Sequence, residues 1–191
     1  MIRIERQVYE SDKKDKFIKK LPLYRSLIFR FINFDIKTDN EELESIVTAL
    51  NIKNTRNRVA FVYDKTCEIV DKFYKGKNIC GFKNGQCRVQ KNKRSDKMNG
   101  CCRYCKYQSD RGCTTANIAC KFFNCDEVRK DNDVLEFDDV AILKVLNKRQ
   151  RTLLKSDYFS KRENVIDDVS LGLFLGTAKM YMRLIKNIFT R

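Results

Sequence analysis

The chain has 191 residues, 42% hydrophobic and 34% charged, with 40 Lys and Arg against 25 Asp and Glu for a formal charge of +15. That length buries a sizeable core, so one domain carrying a cysteine-rich insertion is expected rather than two equal domains. The absence of histidine excludes Ser-His and Cys-His hydrolase sets, mixed Cys/His zinc fingers and Rieske-type centres.

The opening MIRIERQVYESDKKDKF has no apolar run behind a basic start, and no apolar stretch reaches about eighteen residues. A cytoplasmic protein without a membrane span is therefore expected, in which disulfides are disfavoured and thiols are available to metal. The excess of cations suggests nucleic acid or another anionic surface as partner. Part of it answers the metal's own ligands, since four thiolates on Zn(II) leave a charge of about −2, and two filled sites bring the chain to about +11.

In chain order, MIRIERQVYE fits a strand or an irregular lead-in. From Asp15, Phe17, Leu21, Tyr24, Ile28 and Phe31 recur at helical spacing with Lys19, Lys20, Arg25 and Arg30 off the stripe, so an amphipathic helix packed on the core is expected. Pro22 should start that helix or kink it. Asp39 or Asn40 caps a second helix to Leu50, with Glu41, Glu42 and Glu44 complementing its dipole. A third runs from Asn54 or Thr55 to Tyr74, with Val59, Val62, Thr66, Ile69 and Phe73 on one face. Cys67 lies in it and reads as a small buried hydrophobe.

Eight of the nine cysteines then fall in one stretch: Cys80, Cys87, Cys101, Cys102, Cys105, Cys113, Cys120 and Cys125. Thiols this dense are either oxidised or deprotonated on metal. Asn84-Gly85 predicts a tight hairpin over Ile79–Val89 that brings Cys80 and Cys87 together. Arg88–Gly100 reads as an exposed basic loop, in which Lys91, Lys93, Arg94 and Lys97 are candidate phosphate contacts. Cys101-Cys102-x2-Cys105 sets three sulfurs within five residues, and one of the adjacent pair suits a second site. Cys120-x4-Cys125 is expected on one helical turn, covered by Phe122 and Phe123.

The run Asn99-Gly100-Cys101-Cys102, Cys105, Gly112-Cys113 and Cys120-Lys121-Phe122-Phe123-x-Cys125 resembles the YkgJ-type cysteine-cluster family, described as zinc- or iron-chelating. The resemblance covers about a quarter of the chain and departs at Cys80 and Cys87, which lie well before the paired cysteines. It implies metal binding and supplies no reaction.

Beyond Cys125, Phe137, Val140, Ile142, Leu143 and Leu146 predict a helix that continues or breaks near Lys148–Arg151. A last helix is expected over Asn164–Phe189, with Ile166, Val169, Leu173, Met180, Leu184 and Ile188 on its apolar face. Its GLFLG centre is apolar nearly all round, which predicts burial within the chain. The whole reads as mainly α: an N-terminal helical region (1–76), a central cysteine-rich metal-binding module with a short β-hairpin (77–130), and C-terminal helices (131–191) packing on the first. No acid, base or nucleophile set presents itself. Two classes follow from all-thiolate ligation: a structural zinc scaffold for a nucleic-acid or protein partner, and an iron–sulfur protein with a redox-sensing, electron-transfer or enzymatic role.

Overall fold

Residues Ile2–Glu5 form strand β1, which pairs in parallel with β2 (Phe34–Lys37) in the register Ile2↔Phe34 to Glu5↔Lys37. Parallel neighbours need a crossover. Part of it is helix α1 (Lys13–Tyr24), which buries Phe17 and Leu21. The computed structural model describes residues 1–5, 13–25, 31–81, 108–109, 112–113, 115, 117–158, 160–171 and 173–189. Over these the chain is mainly helical, as expected, with two small two-stranded sheets.

Pro22 neither starts α1 nor lies in its first turn; it sits near the C-terminal end. There the ring removes a hydrogen bond only from a turn that frays readily, and burial of Leu21 beside it offsets that loss. Phe31 is also off the expected stripe, being 89% exposed, whereas Phe34 is buried from β2 and packs edge-on to Tyr24.

Helix α2 (Glu41–Asn51) starts where Asn40 Oδ1 accepts the Leu43 N–H at 3.0 Å, and α3 (Thr55–Tyr74) starts where Asn54 Oδ1 accepts the Asn57 N–H at 3.0 Å. At the end of α2 the Asn51 amide acts as a third strand. Its Oδ1 accepts from Phe34 N–H and its Nδ2 donates to Phe34 C=O, both at 2.8 Å. Gly76, with φ of +74°, follows α3 and takes a left-handed conformation that a side chain would strain.

The segment from Phe137 is not an α-helix. It makes two 3-10 turns, Phe137–Asp139 and Ala141–Val145, before α6 (Lys148–Ser156) opens on a reciprocal cap between Asn147 and Gln150. Phe137, Val140, Ala141, Ile142, Leu143, Val145 and Leu146 are all buried, and the second turn packs against α1, α2 and α3. Asp138, Asp139 and Lys144 reach solvent but do not line up as one polar face of a helix, and packing of the second turn against three helices removes the advantage of a one-faced helix.

The last expected helix is two: α7 (Arg162–Leu171) and α8 (Leu173–Phe189). They pack on each other so closely that a Cβ on Gly176 would lie 2.2 Å from the Asp168 carbonyl oxygen. Arg183 of α8 pairs with the buried Asp168 carboxylate and donates through Nε to Ser160 Oγ at 3.0 Å. α7 also packs on α3, where Arg162 is bonded to Asp64 through two nitrogens and Arg56 bridges to Asp167 at 2.7 Å. Leu175, in the apolar centre expected to be buried, is instead 56% exposed.

Candidate metal centre

Two tyrosines of α3 organise the part of the cysteine-rich stretch that contains Cys120 and Cys125. Tyr63 and Tyr74 are eleven residues apart, close to three helical turns, so their hydroxyls face the same side about 16 Å apart along the axis. A buried tyrosine hydroxyl needs a partner. Tyr63 accepts the Ile118 N–H at 3.1 Å, and burial raises its pKa. Tyr74 accepts from Leu135 N–H at 3.0 Å and from Asn124 Nδ2 at 3.3 Å. Between them the chain makes two short helices, α4 (Ile118–Lys121) and α5 (Asp126–Asp131).

Asn117 joins this segment to the C-terminal helices. Its Oδ1 accepts the Cys120 N–H at 3.1 Å, capping α4, while Nδ2 donates to the carbonyls of Asp157 at 2.8 Å and Ser160 at 3.1 Å. Lys121 bonds to Asp71 of α3, and Arg129 donates to the Asn124 carbonyl at 3.0 Å and pairs with Glu136. None of Tyr63, Tyr74, Asn117 and Asn124 is a candidate from sequence. The one available signal is the pair of tyrosines on the apolar side of α3, and it does not say what they bond.

Cys120 and Cys125 do not share a helical turn. Cys120 lies in α4, whose last residue is Lys121, and Cys125 is the N-cap of α5. Phe122 caps α4 and is buried edge-on against Phe137, 5.2 Å between ring centres; Phe123 meets Tyr158 at 6.1 Å and stays partly exposed. Two phenylalanines in succession cannot both face inward from a helix this short, so the chain turns between the cysteines. The Cys120 thiol is half-buried, 3.5 Å from the Tyr158 carbonyl it donates to.

Residues Ile79–Gly81 form a turn rather than the start of a strand. The Gly81 N–H donates to the Asn78 carbonyl at 2.9 Å, and Gly81 has φ of +58°. The rest of the expected hairpin, with Cys87, lies outside the described residues. The antiparallel pair in this stretch is β3 (Gln108–Ser109) with β4 (Gly112–Cys113), in which Cys113 is paired with Gln108. The turn at Asn78–Gly81 directs Cys80 to a small cluster of its own. There Ile79, Cys80 and Val134 pack on buried Cys125 and Val128. Two cysteines 45 positions apart in sequence thus meet in one apolar setting.

Beside Cys125 opens a cleft of about 710 Å³ walled by Phe122, Phe123, Phe137, Lys155 and Tyr158. Cys67 stands apart from this cluster. It packs on the main core from α3, and burial pushes its thiol up to about 11, with the nearby Lys121 acting in the opposite direction. Neither Cys67 nor Cys125 is in a disulfide.

Cys101, Cys102 and Cys105, like Lys91, Lys93, Arg94 and Lys97, lie outside the described residues. Among the described residues no group of three or more Cys, Asp or Glu is disposed to hold a metal ion. None of the described helices is long and apolar enough to cross a membrane. No protein-family model, curated protein or solved structure matches the chain.

Proposed function

We propose that the protein binds metal through its clustered thiols, as a structural zinc scaffold for a nucleic-acid or protein partner. The observation that carries this reading is the meeting of Cys80 and Cys125 in one apolar cluster, although 45 positions separate them in sequence. Apolar surroundings suit a site that must exclude water and competing ligands, and a soft all-sulfur donor set selects zinc or iron–sulfur clusters over hard cations. The tyrosine and asparagine bonds to the Cys120–Cys125 segment support it further. Part of a ligand set held by a rigid body lowers the ordering entropy left for the metal to overcome. In this reading Cys80, Cys120 and Cys125 are held by the helical body, and Cys87, Cys101, Cys102, Cys105 and Cys113 complete the sites. Lys91, Lys93, Arg94 and Lys97 contact the phosphates of a nucleic-acid partner.

Metal analysis with a visible absorption spectrum on anaerobically purified protein tests the proposal. A colourless protein with near-stoichiometric zinc is expected, and Cys80→Ser or Cys125→Ser should each lower the zinc content while Cys67→Ser leaves it unchanged. Brown protein would move the assignment to an iron–sulfur cluster. Metal-free protein, or equal metal loss in all three variants, would end the reading.

A further inference from the structure

We propose that the outward face of α8 is a peripheral membrane-binding surface that seats on anionic lipid. Leu175, Ala178, Met182 and Ile185 recur at steps of three and four and so lie in one stripe. Leu175 is 56%, Met182 61% and Ile185 53% exposed, and Tyr181, at 53%, borders the stripe on one side. Lys179 and Lys186 are exposed along the other side.

The stripe is held outward by the opposite face of the same helix. Gly176 admits the Asp168 carbonyl where any Cβ would collide, and Arg183 pairs with the buried Asp168 and reaches Ser160. Rolling the helix to hide Leu175 and Met182 would break that pair and drive side chains into α7. The face is therefore presented, not merely left over.

Charge and area choose the occupant. A chain with 40 basic against 25 acidic residues is attracted to an anionic surface and repelled by its own copy. Lysines flanking an apolar stripe can lay their aliphatic stems along it while the ammonium groups meet headgroups, and a tyrosine at the border suits the same depth. The 17 residues of α8 span only about 25 Å, so a strip one helix wide falls short of the about 800 Å² per partner that a stable dimer covers. An interfacial helix has no such requirement, since lipid closes around the stripe.

The test is co-sedimentation of the full chain, as purified, with phosphatidylcholine vesicles, with and without phosphatidylserine. Binding only to the serine-containing vesicles is expected, weakening with salt. The pair Leu175→Ser and Met182→Ser keeps every charge and touches only exposed positions, so thermal stability should hold while vesicle affinity falls about tenfold or more. The sequence has no tryptophan, so Ile185→Trp supplies a single reporter whose emission should shift to the blue and be quenched by brominated acyl chains. Unchanged affinity in the double serine variant would mean diffuse electrostatic attraction and overturn the proposal. So would an unshifted tryptophan, or a concentration-dependent dimer in protein that ignores vesicles.

Discussion

Replacing Asn117 by alanine removes a side chain that both caps the Cys120 helix and ties it to the 157–160 turn. The loss can be worked out bond by bond. The cap on the Cys120 N–H contributes about 1 kcal/mol. Each bond from Nδ2 to the Asp157 and Ser160 carbonyls contributes about 1 kcal/mol net, and their acceptors lie in a buried setting where water replaces the donor poorly. The sum is about 3 kcal/mol, reduced to about 2–3 because the three bonds share one residue and are not independent.

Urea unfolding of Asn117→Ala should therefore lose about 2–3 kcal/mol, about a factor of 30 to 150 in the folding equilibrium, and the Cys120 amide should exchange faster. Asn117→Asp sharpens the test. It keeps the acceptor for Cys120 but turns the donor into an oxygen facing two carbonyls. Burial and those carbonyls raise this carboxyl's folded pKa above its unfolded value of about 3.9. The protonated form is then the one the fold tolerates, so the aspartate variant should approach wild type below about pH 4 and lose stability as pH rises through its folded pKa. A cost below about 1 kcal/mol for Asn117→Ala, or an aspartate variant with no pH dependence relative to wild type, would refute the bonding argument.

The remaining predictions concern one residue of α8 and one of α3. Gly176→Ala should destabilise the protein by about 1–3 kcal/mol, measured as a lowered Tm, because the backbone carbonyl of Asp168 cannot yield as a flexible side chain would, and this exceeds the helix-propensity gain of about 1 kcal/mol. A neutral or stabilising result would place α8 farther from α7. For Cys67, the folded thiol titrates near 11 against an ordinary value of 9.0, so the unfolded chain loses its proton first. Its contribution to stability is whole below about pH 9 and falls as pH rises toward 11, by no more than about 1–2 kcal/mol after allowing for its partial exposure. Comparing the pH dependence of unfolding in wild type and Cys67→Ala checks this, and identical profiles would exclude it.

Local signals settled much of the helical framework. Asn40 and Asn54, each one of two candidate caps in sequence, are the caps in the structure, because a short side-chain amide bonding its own backbone needs no distant partner. Gly76 ends α3 for the equally local reason that it tolerates positive φ. The density of cysteines, the missing histidines and the basic balance are likewise properties of the chain alone, and they leave thiols as the candidate ligands of the proposed metal sites. The tertiary structure decided whatever depended on a partner far along the chain. Strand β1 is defined by β2, some thirty residues on; the apolar run at Phe137–Leu146 takes 3-10 turns because helices enclose it; the expected single C-terminal helix folds back at close quarters on Asp168. The candidate centre divides the same way. Which thiols are candidate ligands is legible in the cysteines, but the meeting of Cys80 with Cys125, and the bonds of Tyr63, Tyr74 and Asn117 that hold the segment carrying Cys120 and Cys125, arise from packing and hydrogen bonds between residues 40 to 61 positions apart, for which no local pattern exists.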